Sequence, residues 1–125
     1  AVWDYNPENI NSLSEADIMI SDFSSVIFDY CFLFDKPFLY CNNEFDHRPY
    51  DSGDLKETPW KFSVLKEIGV ELNSHSFDHI KEIISDACKS ETLKENRLKA
   101  KDTAWQNREH AGAAVYDFLT EIRKH

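Results

Sequence analysis

Glycine occurs three times, methionine once, cysteine three times and proline four times in 125 residues. Three glycines, Gly53, Gly69 and Gly112, cannot build a Walker phosphate loop, and neither Gly-x-Gly-x-x-Gly nor a Gly-x-Ser-x-Gly elbow occurs. The cysteines, Cys31, Cys41 and Cys88, are odd in number and lack CxxC or Cys/His zinc spacing, which excludes a disulfide-stapled scaffold and points to a reduced, cytoplasmic compartment. His75, His79, His110 and His125 have no partner at recognised ligand spacing, and no His-Glu-x-x-His is present, so neither a metal nor a cofactor is expected. Basic residues are also short: 14 against 23 acidic, a net charge of −9, which opposes approach to nucleic-acid phosphates and to anionic lipid. The longest mainly apolar run, Val26 to Phe34, is broken by Asp29 and falls far below the roughly 20 residues of a membrane span.

What remains is core material. Apolar types make up 42% of the chain, with nine Phe, five Tyr and three Trp, so the chain folds as one domain or part of one. It opens at Ala1 with Met19 as its sole methionine, which suggests a removed N-terminal segment or a piece of something longer.

Asn6-Pro7-Glu8 has the order of a helix start, and Ile10, Leu13 and Ala16 continue it at three-residue spacing. Asp17 to Ser21 predicts a buried parallel strand. After a polar turn, Val26 to Phe34 predicts a helix apolar on most sides. Asp35-Lys36-Pro37 stops it, and Pro37 to Cys41 predicts a second strand. Strand, helix, strand at this spacing is a parallel crossover, which puts the chain in the α/β class with helices packed on the sheet. Residues 42–62 read as a long polar and aromatic loop, followed by a helical turn at Val64 to Ile68 closed by Gly69, and a strand at Val70 to Leu72. The rest is helical. Ser76 is placed as a cap before a face made of Phe77, Ile80, Ile83, Ile84 and Ala87, and Ser90 as the next cap. A final stripe runs Ala111, Ala114, Val115, Phe118, Leu119, Ile122.

The residues with chemical content are Ser24 and Ser25, two adjacent hydroxyls where a parallel strand's carboxyl end meets a helix N-terminus. First-turn N–H groups lack intrahelical partners and the peptide dipoles leave about half a positive charge there, so the turn suits an anion. Ligands gather at this edge of open α/β sheets. The plainer alternative is that one serine only caps the helix, a contribution of about 1 kcal/mol. Asp29 lies four residues beyond Ser25 and so on the same helical face. A buried, unpaired carboxylate costs several kcal/mol, so Asp29 requires a partner or an opening. One turn from an anion site it could accept hydrogen bonds from ribose hydroxyls; alternatively it holds a backbone N–H or a basic residue. His47, Arg48 and Tyr50, in the long loop, are candidate ligand contacts.

The stretch Ala16-Asp17-Ile18-Met19-Ile20-Ser21-Asp22-Phe23-Ser24-Ser25-Val26-Ile27-Phe28-Asp29-Tyr30, followed by Lys36-Pro37-Phe38-Leu39-Tyr40, resembles the teichoic-acid CDP-glycerol glycerophosphotransferases. The resemblance covers about residues 6–40. It implies a Rossmann-like parallel sheet with flanking helices and a helical C-terminus, from the C-terminal half of a GT-B fold, with residues 1–125 as the last part of the nucleotide-binding domain. It implies that Ser24 and Ser25 hold the diphosphate of the CDP-glycerol donor and that Asp29 lies near the ribose. The acceptor would be an anionic teichoic-acid-like or capsule polymer. The family's catalytic histidines lie upstream, one in an Arg-x-His-Pro-like stretch that this chain does not contain, so the resemblance implies donor binding without catalysis by these residues alone and membrane association only through other regions. Two alternatives stand beside it: a GT-B glycosyltransferase using a nucleotide sugar, and a non-catalytic α/β binding module.

Overall fold

The computed structural model describes residues 1–22, 24–41, 58–106 and 108–124. Its centre is a parallel sheet of β1 (Met19–Ser21), β2 (Phe38–Cys41) and β3 (Val70–Leu72), in that spatial order. Helix α2 (Val26–Phe34) joins β1 to β2, the crossover that the strand, helix, strand pattern predicts. Among the described residues between β2 and β3 are two short helices, α3 (Trp60–Ser63) and α4 (Leu65–Ile68). A 3₁₀ turn at Ser76–His79 then leads into α5 (Ile80–Lys89), α6 (Glu91–Ala104) and α7 (Ala111–Arg123), while α1 (Ile10–Glu15) precedes the sheet.

Alternation along β2 decides which helices cover which face, because successive strand side chains point to opposite sides. Phe38 and Tyr40 enter one core with Ile27, Tyr30, Cys31 and Phe32 of α2, and with Leu65, Ile68 and Ala100 of α4 and α6. Leu39, between them, joins Leu72 and Ala87 in a second core, packed by Ile80, Ile83 and Ile84 of α5. The result is a mixed α/β fold with helices on both faces of a small parallel sheet.

Several local details fix the ends of α2. Lys36 Nζ donates to Ser14 O at 2.7 Å and Ala16 O at 2.8 Å, placing a cation on the free carbonyls at the end of α1. Tyr30 Oη donates to the same Ala16 carbonyl at 3.0 Å. Asp35 closes α2 in the left-handed region, φ 49°, and Arg97 of α6 holds it there: Nε donates to Asp35 Oδ1 at 3.3 Å and Nη2 to Asp35 O at 3.4 Å. Gly69, between α4 and β3, has an extended backbone. It is glycine because a Cβ there would lie 2.6 Å from Phe38 Cζ.

Six expectations need correction. The first helix begins at Ile10, not at Asn6-Pro7, because Asp4 Oδ1 accepts from Asn6 N at 2.9 Å and from Asn6 Nδ2 at 2.8 Å, which ties Asn6 into a preceding turn. Among the described residues β1 lies at the edge of the sheet and is not buried; Ile20 is 52% exposed. The segment assigned to loop up to Phe62 turns helical at Trp60. Ser76 does not cap a helix; its Oγ accepts from Asn73 N at 3.0 Å within a turn. The tighter winding of the 3₁₀ turn carries Phe77 off the α5 stripe and into solvent. Finally, α7 forms where its stripe predicts, yet Val115, Phe118, Leu119 and Ile122 are exposed instead of packed. No helix among the described residues is long and apolar enough to cross a membrane.

Candidate functional site

The backbone of the serine turn decides what its hydroxyls are free to do. A capping serine needs an extended backbone, from which its oxygen reaches back to the second or third helical N–H. Ser90 satisfies this at the start of α6: φ −71°, ψ 108°, with Oγ accepting from Leu93 N at 3.2 Å. Ser25, at the equivalent position of α2, has φ −61° and ψ −19°, is already helical and makes no side-chain capping bond. The amides it would have capped are taken by main chain, Ile27 N donating to Ser24 O at 3.2 Å and Phe28 N to Ser25 O at 3.0 Å. Ser24 and Ser25 are both exposed. The alternative in which Ser25 caps α2 is therefore not what the geometry gives.

Asp22 takes part of the role instead. Its Oδ1 accepts from Ser24 N at 3.0 Å, forming an Asx turn that rigidifies the entry to α2. Among the described residues, no hydrogen bond engages the N–H of Ser25 or Val26. The mouth of α2 thus presents two exposed hydroxyls and two backbone donors, with one carboxylate already drawn to it.

Asp29 needs no buried partner because it is exposed on the outer side of α2, away from Ile27, Tyr30 and Cys31. No hydrogen bond or ion pair of Asp29 occurs among the described residues. The alternative in which it holds a neighbouring N–H or a basic residue is not realised there, and its carboxylate faces solvent one turn from Ser25. His47, Arg48 and Tyr50 lie outside the described residues.

Beside the turn is a cavity of about 230 Å³ that sequence reasoning did not single out. Ser25, Phe28 and Phe32 of α2 form one side, Trp60 and Phe62 of α3 another, and Trp105 past the end of α6 closes it. Phe28 and Trp60 stack with centroids 6.2 Å apart and planes 27° from parallel. Phe32 meets Trp105 edge-on at 5.6 Å. Lys61 also lines the space, with Nζ 4.9 Å from the Phe62 centroid, and Lys101 Nζ lies 5.5 Å from the Trp105 centroid. The only sequence signal was the occurrence of Trp60 and Trp105 in otherwise polar stretches; their separation along the chain hid the rest.

Burial governs the titrating groups of the core. Loss of hydration pushes the Tyr30 phenol up to about 12 and the Cys31 thiol up to about 12. Tyr40 rises to about 12 as well, from burial first and then from the Glu71 carboxylate opposite it across β2 and β3. None of these is poised for chemistry near neutral pH. No cluster of three or more metal-ligating side chains occurs among the described residues.

No curated protein and no solved structure matches the chain significantly. The profile of the CDP-glycerol:poly(glycerophosphate) glycerophosphotransferases matches residues 2–104, from before α1 through the whole of α6. That span takes in the sheet, the serine turn, Asp29 and all but the last wall of the aromatic cavity, so the resemblance first visible in residues 6–40 extends over the fold, and the chain belongs to the CDP-glycerol:poly(glycerophosphate) glycerophosphotransferase family of transferases.

Proposed function

We propose that this chain supplies the donor-binding part of a glycerophosphotransferase that moves glycerol phosphate from CDP-glycerol to a teichoic-acid-like or capsule polymer. The observation that carries the reading is the Ser25 backbone, which leaves its hydroxyl without a capping bond at a helix N-terminus where, among the described residues, two N–H groups have no hydrogen-bond acceptor. On this reading Ser24 and Ser25 donate to the diphosphate, and Asp29, exposed one turn along, accepts from the ribose hydroxyls. The sheet belongs to the nucleotide-binding half of a GT-B arrangement, acting in the cytoplasm where nucleotide donors are made.

The reaction follows from the donor's chemistry. A polymer hydroxyl attacks the β-phosphorus in line, a new P–O bond forms, and the bond from that phosphorus to the bridging oxygen breaks. CMP leaves with the electron pair, and the hydroxyl proton passes to a base. The N–H groups and dipole of α2 stabilise charge growing on the departing phosphate, which is a contribution to the transition state and not only to binding. Asp22 works against this by repulsion.

The test is an NMR titration with CMP and with inorganic phosphate. The amide signals of Ser24 to Ile27 shift with both if the reading holds. A turn that ignores both ligands is only a structural bend, and the binding-module alternative then takes over. Stronger binding of uridine than of cytidine nucleotides would move the assignment to a nucleotide-sugar donor.

A further inference from the structure

We propose that the aromatic cavity beside Ser25 receives the pyrimidine ring of the nucleotide whose phosphates occupy the mouth of α2. The inference rests on the donor-binding reading above and adds the place of the base to it.

Size comes first. At about 230 Å³ the space is smaller than the roughly 300–1,000 Å³ of pockets that enclose a whole drug-sized ligand. It suits one ring system with the remainder of the ligand outside. The lining gives the chemistry: Phe28, Trp60, Phe62 and Trp105 offer π faces, and bases of any kind stack on such faces. Aromatic walls would also suit a quaternary ammonium ion, but Lys61 and Lys101 already lie over the Phe62 and Trp105 rings. Two cations at the walls repel a third and attract a ring that carries phosphate. Ser25 supplies continuity, because it lines the cavity and stands at the N-terminus of α2. A ligand with its ring in the cavity therefore has its anionic end directed to the serine turn. Trp60 is 42% exposed, so its ring is held by Phe28 on one side and remains reachable by a ligand.

Three indole N–H signals report on the protein, and they divide the question cleanly. CMP and phosphate-free cytidine should each shift the indoles of Trp60 and Trp105, while Trp3, 77% exposed and away from the cavity lining, stays in place as the control. Trp60→Leu should weaken CMP about tenfold, the loss expected for one base-aromatic stack, and leave the inorganic phosphate shifts of Ser24 to Ile27 unchanged. Movement of those amides by CMP with silent indoles overturns the base assignment and leaves the donor-binding reading intact. Indole shifts with silent Ser24 to Ile27 amides overturn the phosphate assignment instead. Choline shifting the indoles more strongly than cytidine would make the cavity a cation site and defeat the proposal.

Discussion

Replacing Ser25 by alanine separates the two jobs a serine can have at a helix start, and Ser90→Ala provides the internal standard. Ser90 has the extended backbone of a cap, and its Oγ accepts from Leu93 N at 3.2 Å. Its loss should cost about 1 kcal/mol, which in a domain of this size lowers Tm by about 4 °C. Ser25 makes no capping bond, and the amides of Ile27 and Phe28 already have carbonyl partners at 3.2 and 3.0 Å. Ser25→Ala should therefore change stability by less than about 0.5 kcal/mol, as surface substitutions do. The same change removes one hydroxyl donor to a charged ligand, so CMP affinity should fall by about 1–2 kcal/mol, or about 5-fold to 30-fold. Urea unfolding measures the first quantity and isothermal titration with CMP the second. A Ser25→Ala protein as destabilised as Ser90→Ala would show that the hydroxyl caps α2 after all. Unchanged CMP affinity would remove Ser25 from the donor site whatever the stability.

Two further expectations concern the scaffold that holds the site. Gly69→Ala places a methyl 2.6 Å from Phe38 Cζ and 3.0 Å from Cδ2, against a ring that is fully buried. Because φ at Gly69 is −130°, the penalty is steric alone. It should be about 1–3 kcal/mol, a fall in Tm of about 4–12 °C, and Phe38→Leu in the same protein should recover part of it. Full stability in the single variant would mean that the ring does not lie there. Alkaline stability depends on Tyr30, Tyr40 and Cys31, which are all raised to about 12 in the fold. In the unfolded chain they titrate near 10, 10 and 9. The folded state therefore binds more protons through this range, and stability falls as pH rises from about 9 to about 12 while these groups leave it unchanged below that. A urea midpoint that stays flat from pH 8 to 12 contradicts the burial of these three groups.

Much of the fold is legible along the chain because the signals are local. The runs Pro37 to Cys41 and Val70 to Leu72 have the length and composition of strands, and β2 and β3 form there. Val26 to Phe34 matches α2 residue for residue, bounded by a polar turn and by Asp35-Lys36-Pro37. Ser90 announces the start of α6 because a cap is a bond between residues three apart. The serine turn, Asp29 and the family were also visible there, since they occupy one short stretch.

The sequence by itself therefore determined the α/β class, the strand, helix, strand order around α2 and the place of the serine turn, all set by spacing between near neighbours. Tertiary structure alone decided exposure and convergence. Ile20 and the α7 stripe are as apolar as core positions, yet each is exposed, because burial depends on what other elements reach and not on the side chain's own character. The Ser25 hydroxyl makes no capping bond because the backbone there closed into the helix one residue early, which no residue type prescribes. The aromatic cavity required Phe28, Trp60 and Trp105 to be gathered from three separate segments by the packing of α2, α3 and α6, and contacts between residues so far apart in sequence exist only once the chain has folded.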